Sequence, residues 1–171
     1  MTVSTAANQG ASATAETTYE RFAGVCAILA GIAGFLYSVG FIILRNSLVY
    51  GLFQLLGGLL ATAALVAVYN RLREVDAGFS LWAIVLGLVG ALGSAIHGGY
   101  DLANAINPPA SNVPALADLP SQIDPRGVLT FGVAGLSLVV IAWLMLRGGQ
   151  FPRGLGYLGY LLGALFIILY L

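Results

Sequence analysis

Four polar side chains that could take part in chemistry interrupt one otherwise apolar stretch of the chain: Ser94, His97, Asp101 and Asn104. At about 100° per residue they fall within an arc of roughly 80°, so a helix would carry all four on one face. His97 stands four residues before Asp101 and could donate a ring N–H to its carboxylate, which would fix the tautomer and leave the other nitrogen for a proton or a ligand. A general base, a member of a proton relay or one ligand of a metal ion would each use that geometry.

The depth of these side chains in a membrane favours a simpler interpretation. In a helix that enters at Phe79, His97 lies about 27 Å along the axis, near the far edge of a hydrocarbon core about 30 Å thick. A charge at that edge costs much less than the roughly 3 kcal/mol that it costs at the bilayer centre. Asp101 can therefore be solvated, or paired with Arg126 or Arg45, and His97 can serve packing or capping. A single histidine also makes no metal site without further ligands.

The composition indicates that the element positioning these residues is a membrane helix. Of the 171 residues, 59% are hydrophobic and only 8% are charged, about a third of the charge that a soluble surface carries. The solvent must therefore be lipid. The seven basic residues are all arginine and are balanced by seven acidic ones, which excludes a basic nucleic-acid surface. The single cysteine, Cys26, lies inside the first apolar run, so it forms no internal disulfide and is expected to be a small packing residue.

The apolar runs predict an all-α fold, an integral membrane bundle of five transmembrane helices in one domain that covers residues 21–171. The predicted spans are about 22–44, 48–70, 79–101, 127–146 and 154–171. Residues 1–20, rich in Ala, Ser and Thr, are predicted to form a disordered cytoplasmic tail. The prolines of stretch 108–125 forbid a helix there and predict one long loop. Because the last apolar run has no polar flank, we expect the chain to be a fragment of a longer, six-span protein.

Packing between helices explains the many glycines better than a ligand site does. Small residues recur at every fourth position in the third span, and such a row lets two helix backbones approach closely. The row is Gly87, Ala91, Ala95 and Gly99. Gly87 and Gly90 also lie on the face that carries the polar residues, seven residues before Ser94 and His97, so this face is expected to be buried in protein. Gln54, in the second span, has an uncharged amide that can hydrogen-bond to a neighbouring helix, and we favour this structural role over a place on a transport pathway.

The arginines predict the orientation of the chain in the cell membrane. Counted by alternate ends of the spans, five lie on one side and two, Arg45 and Arg126, lie on the other. The positive-inside rule places the larger group in the cytoplasm, so the amino terminus is expected inside and the loop 108–125 outside. Six polar residues would then share the outer end of the bundle as a candidate ligand-binding site. They are His97, Asp101, Asn104, Ser94, Gln54 and Arg126.

Motifs with an established catalytic or cofactor-binding mechanism do not add to this picture. The sequence has no Gly-x-Gly-x-x-Gly after a strand, no His-Glu-x-x-His, no Cys-x-x-Cys and no Gly-x-Ser-x-Gly. We therefore predict no catalytic residue, no metal ligand and no cofactor.

One short motif and the order of the apolar runs carry a resemblance. The motif is His97-Gly-Gly-Tyr-Asp101, which precedes the single long loop, and the other loops are short and rich in arginine. In these respects the chain resembles small bacterial multi-pass membrane proteins of unknown function, with five to six spans. The resemblance implies a membrane bundle and brings no activity with it.

Two classes of function compete on this sequence. The leading hypothesis is a non-enzymatic integral membrane protein that lies in the lipid bilayer, packs with itself or with a partner subunit, and binds no nucleic acid. The alternative is a small transporter or sensor in which His97 and Asp101 titrate or bind a ligand in an outward-facing vestibule. A membrane enzyme with His97 as the base comes third. A wet cavity that reaches Gln54 and His97 would favour transport, whereas an Asp101–Arg126 pair without a cavity would disfavour it.

Overall fold

In the computed structural model, which describes residues 4–110 and 125–168, all regular structure is helical. The α-helices are α1 (Ser4–Ser38), α2 (Ser47–Leu72), α3 (Ala77–Ile106), α4 (Pro125–Gly127), α5 (Ala134–Gly148) and α6 (Arg153–Ile168). A π-helical segment, Val39–Leu44, continues α1, and a second, Val128–Val133, joins the single turn of α4 to α5. The predicted all-α bundle is confirmed, with no strand among the described residues.

Four of these helices are long and apolar enough to cross a membrane. They cover Thr18–Leu44, Ser47–Leu72, Ala77–Ile106 and Val128–Gly148. The fifth predicted span corresponds to α6, which has 16 residues and is described as far as Ile168. Over the described residues, the protein therefore has four helices long and apolar enough to cross a membrane and one apolar helix of 16 residues.

The sequence predicts two segments without regular structure, residues 1–20 and 108–125. The backbone is helical from Ser4, which differs from the disordered tail predicted over residues 1–20. Alanine, which is frequent in this stretch, has the highest helix propensity, so the first membrane helix can extend back through it. Most of the predicted loop 108–125 lies outside the described residues, because the description stops at Ala110 and resumes at Pro125.

Short turns with capping side chains connect the first three helices, so consecutive helices lie side by side and antiparallel. Arg45 adopts a left-handed backbone conformation with φ of 48°, which ends the first helix and reverses the chain. The side chain of Asn46 then accepts hydrogen bonds from the backbone N–H groups of Leu48 and Val49. Such caps satisfy donors at a helix start that have no partner within the helix. Asp76 caps α3 in the same way, through the backbone N–H of Phe79.

The helices pack as an open row in the order α1, α2, α3, α5, α6. Helix α3 lies in the middle, between α2 and α5, whereas α1 packs on α2 alone and α6 packs on α5 and its π-helical segment. Helices α2 and α5 touch only slightly, so a groove runs between them with α3 as its floor.

Glycines allow the central helices to approach to backbone contact. A Cβ atom on Gly58 of α2 would lie 2.5 Å from the carbonyl oxygen of Ala91 and 2.7 Å from the amide nitrogen of Ala95, both in α3. On the other side of α3, a Cβ atom on Gly90 would lie 2.7 Å from the Cβ of Ala134. These distances are too short for any real side chain, so the α2–α3–α5 packing depends on the absence of side chains here.

The neighbouring glycines of α2 provide a matched test of this packing. We expect Gly58→Ala to lower the free energy of unfolding by about 1–3 kcal/mol, because the added methyl group meets backbone atoms that cannot move aside. Gly57→Ala should leave stability equal or slightly higher, since its Cβ would meet Ala33 at an ordinary 3.6 Å and alanine favours helix. Unfolding in detergent, followed by tryptophan fluorescence, measures both variants. Equal stability of the two would contradict the proposed close contact.

Candidate functional site: a polar cluster at one end of the bundle

Helix α3 carries four of the six predicted site residues and remains helical past all four, whereas Gln54 lies in α2 and Arg126 in α4. Because α3 runs to Ile106, His97 and Asp101 lie on one face at i, i+4 spacing. Gly87 and Gly90, earlier on the same face, are buried against neighbouring helices. The polar end of this face therefore lies inside the bundle, as the sequence indicates.

An ion pair between α3 and α4 is the central contact of the site. An Nη1–H group of Arg126 donates to Oδ1 of Asp101 at 3.0 Å, and the two side chains are only 20% and 17% exposed. The Arg126 guanidinium also lies over the ring of Tyr100, 4.6 Å from its centroid. The sequence predicts Arg126 or Arg45 as the partner of Asp101, and the structure shows Arg126. The pair joins the last turns of α3 to α4.

The start of α4 places Arg126 in this position. The described part of α4 is Pro125–Gly127, with Arg126 at its middle. The hydroxyl of Thr130 donates to the backbone carbonyl of Arg126 at 3.0 Å. The backbone that carries the arginine is therefore tied to the following π-helical turn.

The contact between His97 and Asp101 differs from the predicted hydrogen bond. His97 Nε2 lies 3.6 Å from Asp101 Oδ2, which is longer than an N–H···O hydrogen bond. The carboxylate is oriented instead by Arg126, whose shorter contact takes the other oxygen. His97 is 14% exposed, and its ring is too far from Asp101 for the hydrogen bond that would orient a general base through this carboxylate.

Aromatic rings from α1 and α2 complete the cluster, and the sequence did not predict them there. Tyr37 and Tyr50 meet edge to face with centroids 6.3 Å apart, and Phe41 contacts Tyr50 at 5.3 Å. Tyr50 precedes Gly51, whose Cβ would lie 2.7 Å from the backbone nitrogen of Leu102, the residue after Asp101. Tyrosines near the ends of membrane spans are equally typical of an interfacial aromatic belt. The signal that could have placed them here is their position at the same ends of the spans as Asp101.

Gln54 does not make the predicted hydrogen bond through its side chain. The residue is only 6% exposed, and neither Oε1 nor Nε2 has a hydrogen-bond partner among the described residues. Its backbone carbonyl instead accepts from the hydroxyl of Ser94, at 3.4 Å. The reason is the close helix contact at Gly98, whose Cβ would lie 2.9 Å from that of Gln54. A glycine opposite offers no side-chain partner to the amide.

Among the described residues, neither the side chain of Asn104 nor a metal-binding group adds to the site. The side chain of Asn104 is half-buried and has no hydrogen bond to a described residue. Within residues 4–110 and 125–168 no group of three or more His, Cys, Asp or Glu side chains could hold a metal ion. The groove beside α3 reaches Ser94 but is not lined by Gln54, His97 or Asp101. In this cluster the carboxylate of Asp101 is paired with the guanidinium of Arg126, and His97 lies beside them.

A double-mutant cycle measures the strength of the central ion pair. We expect Asp101→Asn to insert normally but to lower the free energy of unfolding by about 1–3 kcal/mol, because it leaves a partly buried guanidinium without its carboxylate. Combined with Arg126→Gln, the coupling energy should exceed about 1 kcal/mol.

The ion pair at the other end of the bundle is the matched control. Arg71 and Glu20 contact at 2.9 Å but are 54% and 39% exposed, so their coupling should lie below about 1 kcal/mol. Chemical unfolding in one detergent measures both cycles. A coupling at Asp101 no larger than that at Glu20 would show that the cluster does not stabilise the fold.

Comparisons with known proteins do not assign this chain to a family. The chain matches no family model, no curated protein and no solved structure. The resemblance to small bacterial membrane proteins stays a prediction, and any functional conclusion must come from the residues themselves.

Proposed function

We propose that the chain is a non-enzymatic multi-pass protein of the cell membrane that acts as an assembly subunit and associates with a second copy of itself through α1. The observation that carries this proposal is the unpartnered face of α1. Only 11% of the apolar window of this helix is buried, against 44% in α3. Helix α1 therefore has one neighbour, α2, and otherwise presents its surface to the membrane.

One seam of small residues on α1 is filled by α2. Ala23, Cys26 and Ala33 are buried there, and Ala33 meets the Gly57 position of α2 at ordinary contact distance. The buried Cys26 fits its predicted role as a small packing residue. Small residues on α1 thus make a close helix contact where a partner is present.

A second seam of small residues on α1 has no partner. Its members recur at spacings of three and four and are all exposed: Gly24, Ala27, Gly31, Gly34 and Ser38. At about 100° per residue they lie within an arc of roughly 80°. Around a Cβ placed on Gly24, Gly31 or Gly34, no atom lies within 4 Å. Glycine costs a helix about 1 kcal/mol relative to alanine, and no contact with a described residue offsets that cost at these three positions.

A second copy of the chain fits this seam because the seam is self-complementary. It carries no charge, and the hydroxyl of Ser38 already donates to the carbonyl of Gly34 at 3.0 Å. Small residues at heptad-like spacing let two like helices pack about a two-fold axis, with each seam against the other. The proposed unit is therefore a dimer joined along α1.

The polar cluster supports a structural role more than transport. Asp101 is paired with Arg126, and the groove beside α3 is not lined by His97. A transporter or sensor would require a water-accessible carboxylate or imidazole with space for a ligand. We therefore assign the cluster to holding α3 and α4 together.

The proposed orientation follows the arginines. Glu20 with Arg71, and Glu74 with Gln150, mark one end of the bundle, whereas Asp101 marks the other. The end with Arg71 carries most of the arginine, so we place it in the cytoplasm by the positive-inside rule. The polar cluster then lies at the outer face.

Cysteine cross-linking tests the dimer. In a Cys26→Ala background, Gly31→Cys should form a disulfide-linked dimer in the membrane under mild oxidation, because the two seams would meet within disulfide distance. Leu29→Cys, which is exposed but lies about 160° around the helix from Gly31, should remain monomeric. Non-reducing gel electrophoresis measures both.

A bulky residue in the seam tests the same contact without a cross-link. Gly31→Ile should convert a dimer of about twice 17.7 kDa to monomer, and the fold should survive because the position is open. Gly132→Ile, at another open glycine, should remain dimeric. Light scattering in detergent measures the mass. A wild type that is monomeric in both assays would overturn the proposal. A ligand-dependent shift in the NMR signals of the single histidine would favour the sensor.

A further inference from the structure

A polar pocket and an apolar groove adjoin each other at the end of the bundle that carries Arg71. The polar pocket lies between the start of α1, the end of α2 and the turn before α6, and its volume of about 490 Å³ is in the range of small-molecule sites. The α1–α2 groove runs from it along these two helices. Glu20, Arg71 and Gln150 line both the pocket and the groove, so one molecule can occupy the two together.

The α1–α2 groove enters the hydrocarbon region of the membrane. Glu20 and Arg71 lie within two residues of the ends of their spans, so the mouth of the groove lies at the membrane surface. From there its walls extend seven residues along each helix, to Ala27 and Ala64, which is about 10 Å. Four alanines and one glycine form most of these walls. What the groove offers an occupant is therefore a narrow apolar surface.

The polar pocket presents one cation and one anion that are not paired with each other. Arg71 and Glu20 already form an ion pair at 2.9 Å. Arg73 makes no hydrogen bond or ion pair with a described residue. Glu74 accepts a hydrogen bond from Nε2 of Gln150 at 3.1 Å but has no cationic partner among the described residues. Adjacent residues at a helix end do not face each other, so the guanidinium and the carboxylate are each available to a ligand.

A zwitterionic lipid headgroup with a primary ammonium matches these two charges. Its phosphate oxygens accept hydrogen bonds from a guanidinium, and its ammonium group donates to a carboxylate. A quaternary ammonium has no N–H to donate. An anionic headgroup without an ammonium would leave Glu74 unpaired beside a second negative charge, which is unfavourable. The free oxygen of the Gln150 amide adds one acceptor for the ammonium.

We propose that the polar pocket and the α1–α2 groove bind one molecule of a zwitterionic glycerophospholipid of the phosphatidylethanolamine type. Arg73 binds its phosphate, Glu74 binds its ammonium group, and one acyl chain lies along Ala64 and Ala67. The Glu20–Arg71 pair lies where the two parts of the site meet and adds no net charge to either. The groove favours the lipid over free phosphoethanolamine, because only the lipid has a chain to fill it.

The site lies within one chain and does not depend on the proposed dimer. It shares Gly24 and Ala27 with the exposed seam of α1. Seen along α1, the centre of that seam lies about 100° from the centre of the seam that α2 fills. With neighbouring helix axes about 9 Å apart, α2 and the α1 of a second copy would then be about 14 Å apart. The dimer therefore borders the groove without filling it.

Photoreactive lipids test the site on the full chain in phosphatidylcholine nanodiscs. The probe is a phosphatidylethanolamine with a diazirine near the ester end of one acyl chain, and mass spectrometry maps the cross-links. They should concentrate on residues 23–27 of α1 and 64–71 of α2. Unlabelled phosphatidylethanolamine should displace the probe, whereas free phosphoethanolamine should not. A phosphatidylglycerol probe should give a yield about fivefold lower, the factor that one charge contributes at a membrane surface.

Neutral substitutions at the two unpaired charges test the selectivity. Arg73→Gln removes the phosphate contact and should lower the phosphatidylethanolamine yield about fivefold. Glu74→Gln removes the ammonium contact but keeps the arginine, so the phosphatidylglycerol probe should then react at least as well as the phosphatidylethanolamine probe. Both residues are exposed, so the fold should survive. Arg153→Gln, exposed at the same end but outside the pocket and the groove, is the matched control and should leave both yields unchanged.

Two further variants test the groove and its independence from the dimer. Ala67→Phe fills the groove and should lower the yield at least as far as Arg73→Gln does. Val66→Phe, on the exposed side of α2, is its matched control and should leave the yield unchanged. Gly31→Ile, which should be monomeric, should bind the lipid as the wild type does, so the two proposals can fail separately.

Four results would overturn the proposal. Cross-links spread evenly over the exposed helix faces would show ordinary lipid solvation. Equal yields from the two probes in the wild type would show that Arg73 and Glu74 select no headgroup. Displacement by free phosphoethanolamine would indicate a soluble ligand in place of a lipid. Loss of the yield in Gly31→Ile would place the lipid between two copies of the chain.

Discussion

The close approach of α2 and α3 is the contact on which the rest of the structure depends. In lipid there is little hydrophobic force between helices, so they associate through van der Waals contact and close backbone packing. Gly51, Gly58 and Gly98 provide that contact here, each with backbone atoms of the facing helix closer than a side chain would allow. Because α3 also contacts α5 through Gly90 and the π-helical segment before α5 through Gly93, it becomes the centre of the row, and the outer helices pack on its neighbours.

The polar cluster follows from this arrangement. With α2 held against α3, Tyr50 comes beside the end of α3, and the short capped turn brings Tyr37 of α1 to the same place. Arg126, in α4, pairs with Asp101 near the end of α3. The pair lies at the end of the bundle, where a charge costs less than it would at the bilayer centre. The ion pair therefore closes the α3–α4 connection without placing a charge deep in lipid.

Sequence alone predicted what depends on local pattern. Hydropathy and spacing predicted the helices, the shared face of His97 and Asp101, and Arg126 as one of two partners for that carboxylate. The choice of neighbours was not predictable, because a row and a closed bundle of the same helices have the same hydropathy. For that reason Gln54 was expected to find a partner, although a glycine faces it in the structure. The tyrosines near Asp101 were likewise indistinguishable from an interfacial belt.

An open row leaves small residues accessible in two places. The two surfaces differ in shape and therefore in what can bind to them. The seam along Gly24, Gly31 and Gly34 lies on the outside of one helix, where a second helix can approach along its whole length. The groove beside Ser94 is instead a recess between α2 and α5 with α3 as its floor. Small residues are therefore accessible to a whole helix on α1 but lie within a narrow recess on α3, because the two surfaces differ in geometry.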